Sequence, residues 1–148
     1  MNLKPGDKAP DFKTLNQRGE TIKLKDLKGK KVVLYFYPQD DTPTCTTEAC
    51  NLRDNYHALM AKGYQVYGIS PDGVKKHQKF IAKHQLPFDL LTDEDHAIAE
   101  KYGVWALKTL FGKTYMGVLR TTFILEKGKI TDIIEKVVSK DHSTQIMK

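Results

Sequence analysis

The chain reads as a mixed α/β protein in which strands and helices alternate. Three observations predict this. The run KKVVLYFYP (Lys30–Pro38) is apolar and β-rich, as expected for a strand buried on both faces, and Pro38 ends it. A second such run, YQVYGIS (Tyr64–Ser70), follows a segment with helical patterning. The late stretch RTTFILEKGKITDIIEKV (Arg120–Val137) has the form of a hairpin with its turn near Lys127–Gly128.

The elements follow in order. A helix is expected from about Pro43 to Lys62, stopped by Gly63, with Cys45, Ala49, Leu52, Tyr56, Leu59 and Met60 on its inward stripe. After the second strand, Ser70 is expected to cap a helix with Pro71 in its first turn and Val74, Phe80 and Ile81 turned inward. FDLLT (Phe88–Thr92) reads as a short strand. DEDHAIAEKYGV (Asp93–Val104) reads as a short helix with acids in its first turn and Gly103 at its end. The terminal hairpin follows, then a short helix near Asp141. The order β-α-β-α-β-α-β-β-α gives a central sheet that is parallel in part and closes with an antiparallel pair.

A length of 148 residues suits one domain, residues 1–148, with a substantial core. The apolar share of 40% and the charged share of 28% are those of a soluble globular chain. No apolar run approaches the roughly 20 residues of a membrane helix. The opening MNLKPGDKAPDF has no apolar core of a secretory signal, so a cytoplasmic, reducing setting is expected. The net charge of +6 raises the question of nucleic acid. The excess is carried by 21 Lys against 3 Arg, scattered among acids. Base-edge readout favours Arg, and a single-strand platform needs interleaved exposed aromatics. The charge is therefore read as a solvated surface, and its densest cluster, LKDLKGKK (Leu24–Lys31), as a turn before a strand.

Both cysteines lie in DDTPTCTTEAC (Asp40–Cys50). In a reducing compartment a close pair is a catalytic, redox-sensing or metal-binding feature rather than a disulfide framework. Thr42 followed by Pro43 marks a helix start, with Thr42 as N-cap and Pro43 at the first helical position. Cys45 then falls in the first turn, where unpaired N–H groups and the positive end of the helix dipole favour a thiolate. The strand ending at Pro38 puts this turn at the carboxyl end of the sheet, where α/β proteins bind ligands. The plain alternative is two buried cysteines acting as small apolar residues. A zinc site would need four ligands, and His57, His77, His84, His96 and His142 lack ligand spacing, so they are read as surface residues and no metal is expected. On a straight helix a five-residue step places α-carbons roughly 8.7 Å apart. A disulfide needs less than about 7 Å. If the two thiols are to bond, the helix between them must unwind.

Pro38, Thr42 and Cys45 spell P-x-x-x-T-x-x-C, and Glu48 extends this to T-x-x-C-x-x-E. This resembles the active-site motif of the peroxiredoxins. Cys50 is similar to the resolving cysteine of the peroxiredoxin Q type, also called bacterioferritin comigratory protein. The resemblance runs through GDKAPDF, YFYPQDDTPTCTTEACNLRD, YGISPD, LLTDED, KTYMGVLRTTFIL and the late KV with His142. Thr44 departs from it, since this subfamily often has glycine there, which touches pocket width and local backbone but not the reacting groups. The resemblance implies a thioredoxin-like fold with an N-terminal extension, and reduction of hydrogen peroxide and organic hydroperoxides without metal, haem or other cofactor. It implies that Cys45 attacks the peroxide and becomes a sulfenic acid, that Cys50 condenses with it to a disulfide, and that thioredoxin or a similar thiol reductant resets the pair. A monomer is expected, because the chain lacks the C-terminal extension with a second cysteine that dimer-bridged relatives use.

The chemistry explains the residue types. Attack on an O–O bond develops negative charge on the leaving oxygen, and the Thr42 hydroxyl with the Thr44 and Cys45 N–H groups can meet it, like an oxyanion hole. Arg120 leads into a buried strand, which is costly unless it is paired. Alone it could be a surface ion pair; the resemblance places its guanidinium beside the thiolate. Pro38 would shape and shield the pocket. Glu48 is read as an organiser bonded to the site or to Arg120, and Arg53 as structural or surface. A thioredoxin-like disulfide oxidoreductase would want C-x-x-C and a proline facing the site, whereas this chain has C-x-x-x-x-C and no proline after Pro87. A non-catalytic binding or holdase-like protein would explain the basic surface but neither Thr42 nor Cys45.

Overall fold

The computed structural model describes residues 3–27 and 30–148. Its strands are β1 (Lys13–Leu15), β2 (Thr21–Lys23), β3 (Lys31–Phe36), β4 (Tyr64–Ser70), β5 (Asp89–Thr92), β6 (Trp105–Leu110), β7 (Lys113–Val118), β8 (Thr121–Glu126) and β9 (Lys129–Ile134). Its helices are α1 (Pro43–Asp54), α2 (Tyr56–Ala61), α3 (Val74–His84), α4 (Ala97–Lys101) and α5 (His142–Met147). The central sheet runs β5-β4-β3-β8-β9. β3, β4 and β5 pair in parallel, while β8 and β9 are antiparallel, as the sequence order predicts.

β3 carries side chains to both faces with period two. Val33, Tyr35 and Tyr37 join Cys45, Ala49, Leu52, Phe80 and Ile146 in the layer that holds α1, α2, α3 and α5. Val32, Leu34 and Phe36 join Phe12, Ile98, Tyr102 and Phe123 on the other face. Both faces are covered by these apolar layers, which is why the β3 run has no polar alternation. Gly68 of β4 pairs with Tyr35, and a Cβ there would come within 2.8 Å of the Tyr35 ring and 2.7 Å of Leu90. The glycine lets the tyrosine lie across the strand beneath the first turns of α1.

Several expectations are corrected. The single helix Pro43–Lys62 is two, α1 and α2, broken at Asn55. The Asn55 amide donates to the Asn51 carbonyl, the local competition with helix that asparagine offers. Met60 is not on the inward stripe but exposed, whereas Cys45, Ala49, Leu52, Tyr56 and Leu59 are buried. Ser70 does not cap α3. It ends β4, paired with Thr92, and donates its hydroxyl to Asp72, while Gly73 precedes the helix. The acids before α4 lie outside it. Asp93 instead accepts the N–H groups of Ile98 and Ala99, both at 2.9 Å. The turn over Leu24–Lys31 appears as a 3-10 turn at Leu24–Asp26, and its residues 28–29 lie outside the described residues.

Two hairpins were not expected. One is the small β1–β2 pair near the N-terminus. The other is the β6–β7 arm, whose tip is Phe111 (φ 52°) and Gly112 (φ 76°). Lys127 (φ 52°) and Gly128 (φ 78°) make the same two-residue turn between β8 and β9, there recognisable from the sequence. A bulky aromatic residue at positive φ is a poor turn signal, and the arm leaves Leu107, Leu110, Phe111 and Met116 exposed. Among the described residues no helix is long and apolar enough to cross a membrane.

Candidate active site

The sheet brings the motif residues together at the carboxyl end of β3. Phe36 pairs with Thr121, so Arg120 stands beside the segment leaving β3 through Pro38. That segment is fixed before α1 begins. Asp40 is buried; its N–H donates to Asp72 Oδ2 at 2.7 Å, and it accepts from the Tyr37 hydroxyl at 2.5 Å. His77 Nδ1 lies 2.6 Å from Asp40 Oδ2, and His77 Nε2 lies 3.0 Å from the Leu91 carbonyl. A carbonyl can only accept, so Nε2 carries a proton, and a second proton is shared between Nδ1 and Asp40. Asp40, Asp72 and His77 thus bring three ligand-type atoms within 4.8 Å of one another, each already engaged inside the protein.

Thr42 takes the N-cap position with extended backbone (φ −86°, ψ 156°), and Pro43 opens α1. The first helical bond is from the Thr46 N–H to the Thr42 carbonyl at 2.8 Å. The N–H groups of Thr44 and Cys45 therefore have no acceptor within the helix. The Thr42 side chain does not cap, contrary to expectation; it donates to the Gln39 carbonyl at 3.1 Å. Its hydroxyl oxygen keeps lone pairs to accept with. Thr44 and Pro43 are exposed, Thr42 and Pro38 half-buried, and Cys45 is 1% exposed.

Arg120 bridges the two acidic centres of the pocket. Its Nη2 donates to Cys45 Sγ at 3.2 Å and its Nη1 to Glu48 Oε1 at 2.5 Å. A charged donor on sulfur stabilises negative charge there. Cys45 and Glu48 are three residues apart on α1, which sets both on one face. Glu48 is fully buried, and burial pushes its carboxyl up to about 7 against the opposing pull of Arg120. Its Oε2 has no hydrogen-bond partner among the described residues; His142 Nε2 is 3.6 Å away. Burial also lowers the pKa of His142, although its bond to Gln145 opposes this. Gln145 Oε1 accepts from the Val138 N–H and lies 2.8 Å from His142 Nδ1, so Nδ1 is the protonated nitrogen. Nε2 then accepts from the Thr122 hydroxyl at 2.7 Å. Below the site, Tyr35 is buried with its hydroxyl unpartnered among the described residues, and burial raises it well above a free phenol, with Glu48, Asp40 and Cys45 adding to the shift.

Cys50 sits in different surroundings. It is half-buried, and its Sγ lies 3.9 Å from His84 Nδ1 at the end of α3. α1 runs unbroken through both cysteines, and both are free thiols. Arg53 donates to the His84 carbonyl at 2.7 Å and pairs with Asp54. Asn51 ties α1 to the C-terminus, donating to the Lys140 carbonyl and accepting from the Ser143 N–H, both at 2.8 Å.

Two histidines taken for surface residues are fully buried. His77 pins the loop before α1, and His142 stands over Glu48. Apart from Gln145, their ring partners come from other segments, and no local pattern reveals those. Lys108 on the unexpected β6–β7 arm was also missed. Burial lowers its pKa, the charge of Arg120 adds to this, and its ammonium donates to the Val118 carbonyl at 3.0 Å.

A mixed sheet with a thiol in the Pro-led first turn of a helix and an arginine on its sulfur defines a class of thiol proteins. Residues 5–133 match the model of the AhpC/TSA family. Peroxiredoxin Bcp of Bacillus subtilis (strain 168) is 48% identical over 149 aligned positions, covering 100% of this chain and 95% of that protein. Among solved structures, the bacterioferritin comigratory protein of Xanthomonas campestris, studied for alkyl peroxide reduction through trapped intermediate/ligand complexes, superposes with a TM-score of 0.84 at 31% identity, covering 91% of this chain and 87% of that one. Peroxidoxin BcpB of Mycobacterium tuberculosis superposes with a TM-score of 0.85 at 35% identity, covering 97% and 94%. The chain belongs to the AhpC/TSA family, among its Bcp-type peroxiredoxins, and its fold is that of the thioredoxin-like peroxiredoxins.

Proposed function

We propose that this chain, working as one domain, is a thiol-dependent peroxidase that reduces hydrogen peroxide and organic hydroperoxides through Cys45. The carrying observation is the Arg120 guanidinium 3.2 Å from a sulfur in the first turn of α1. The Cys45 thiolate attacks one peroxide oxygen, the O–O bond breaks, and the leaving oxygen departs as water or alcohol after taking a proton. Arg120 and the free N–H groups of Thr44 and Cys45 face the charge that develops. Thr42 holds the peroxide through the lone pairs of its oxygen, and Pro38 borders the site. Glu48 aims Arg120.

Cys50 then attacks the Cys45 sulfenic acid, forming an S–S bond and releasing water. A thioredoxin-like thiol reductant regenerates both thiols by exchange. α1 spans both cysteines, so this step requires its early turns to open. The reaction is assigned to the cytoplasm and to a monomer; sedimentation at rising concentration checks the latter, with the apolar tip of the β6–β7 arm as the surface on which self-association would show.

Reduced protein treated with one equivalent of hydrogen peroxide should lose two thiols and two mass units. A chain that stays reduced, or a Cys45→Ser variant that still consumes peroxide, would sink the proposal. Amide exchange over residues 44–52 should be faster in the disulfide form; equal protection in both forms contradicts the opening of α1.

A further inference from the structure

We infer that Cys50 is served by its own acid–base pair, His84 held by Asp41, which takes the Cys50 thiol proton when the disulfide forms. The inference rests on the reading of Cys50 as the resolving thiol. His84 Nδ1 faces Cys50 Sγ at 3.9 Å, and His84 Nε2 faces Asp41 Oδ1 at 3.4 Å. A carboxylate only accepts, so Nε2 keeps the proton and Nδ1 presents a lone pair to the S–H. This is the order of a thiol, a base and an orienting acid, one of the ways in which a weak nucleophile is activated.

The ring is held in place from several sides. Phe80 meets it edge-on, with centroids 5.3 Å apart. Arg53, three residues after Cys50 on α1, binds the His84 carbonyl at 2.7 Å. Asp41 is presented from the loop before α1 with φ 63°, and Lys83 lies 3.0 Å from its other oxygen. The bonds to Lys83 and His84 keep the Asp41 carboxyl below its usual range. The charged groups facing His84 are thus Asp41 from the loop, Lys83 from α3 and Arg53 from α1, the last paired with Asp54. The ring is partly buried, enough to fix it and not enough to seal it from water.

The step balances. His84 accepts the proton of Cys50, and the resulting thiolate attacks the sulfur of the Cys45 sulfenic acid. The S–S bond forms, the S–O bond breaks, and the leaving hydroxide takes a proton from the imidazolium to become water. Cys50 sulfur is oxidised and Cys45 sulfur reduced by the same amount, and no further reactant is needed.

The test separates this pair from the cycle it serves. In a C45S background Cys50 is the sole thiol, and its alkylation by iodoacetamide is followed from pH 6 to 9. Below pH 7.5, C45S should react about tenfold faster than C45S/H84Q, with C45S/D41N between them and the imidazole limb of the profile flattened in both. In the two-cysteine chain, the ratio of disulfide formation to sulfenic acid formation should fall about tenfold to a hundredfold in H84Q, and less in D41N. Superimposed alkylation profiles for the three proteins, or an unchanged ratio, overturn the pair while leaving the peroxidase reading intact. A wild-type chain that consumes peroxide without forming an intramolecular disulfide overturns the pair together with the resolving role of Cys50 on which it rests.

Discussion

The two cysteines lie five residues apart on one helix and live in opposite surroundings. Cys45 is sealed, with a permanent cation on its sulfur and a carboxyl behind that cation. Cys50 is half-open, with a neutralisable imidazole beside it and an exposed acid behind that. Both sites have the same order of sulfur, nitrogen group, then acid. They differ in burial and in whether the nitrogen can lose its charge. A guanidinium holds a charge continuously, which suits a thiol awaiting peroxide. An imidazole takes up a proton and gives it back, which suits the proposed role of a thiol that acts only after its partner is oxidised.

The largest test of this contrast is Arg120→Met. It removes the fixed cation and should slow the first oxidation by roughly a hundredfold or more, read by rapid mixing with peroxide in single turnover. A loss under threefold would show that the helix end alone suffices. Next comes the pH dependence of stability. Glu48 moves from 4.5 in the unfolded chain to about 7 in the folded one. Its raised value favours folding fully below about pH 4.5, and that contribution is lost as pH rises through 7. The stability of E48Q relative to wild type should therefore climb by about 3 kcal/mol between pH 4.5 and 8. Urea unfolding of both proteins across that range measures it, and a flat difference would mean the carboxyl is not buried as described. The smallest effect belongs to the open side. Lys83→Ala removes an exposed ion pair with Asp41 and should leave the melting temperature within error; a clear drop would show that this side is structurally tighter than its exposure suggests.

Legibility in the sequence followed range of interaction. β3, β4, the start of α1 and the Lys127–Gly128 turn each announce themselves within a few residues, through apolar runs, Thr-Pro and Lys-Gly. The motif around Cys45 was equally local. The pairing of Glu48 with Arg120, 72 residues away, was reached only through the family motif. What stayed hidden depends on partners far along the chain: His77 finds Asp40 at 37 residues, and His142 finds Thr122 at 20. The split at Asn55 was visible only as an ordinary asparagine, and the β6–β7 arm turns on a phenylalanine where turn residues are normally small or polar.

Asn51 gives the cycle a clock. In the proposed cycle Cys50, the residue beside it, travels to Cys45, and the two bonds from Asn51 to the C-terminal segment oppose that movement. Two neutral hydrogen bonds hold about 1–3 kcal/mol between them, a delay of roughly fivefold to a hundredfold if the whole of it must be met before Cys50 arrives. During that delay the sulfenic acid stands exposed to a second peroxide, which would carry it to the sulfinic state that Cys50 cannot recover. In the proposed cycle the grip of Lys140 and Ser143 on one side chain lengthens the life of the sulfenic acid, and Asn51→Ala, which releases it while keeping the buried residues of α5, would trade that delay for endurance.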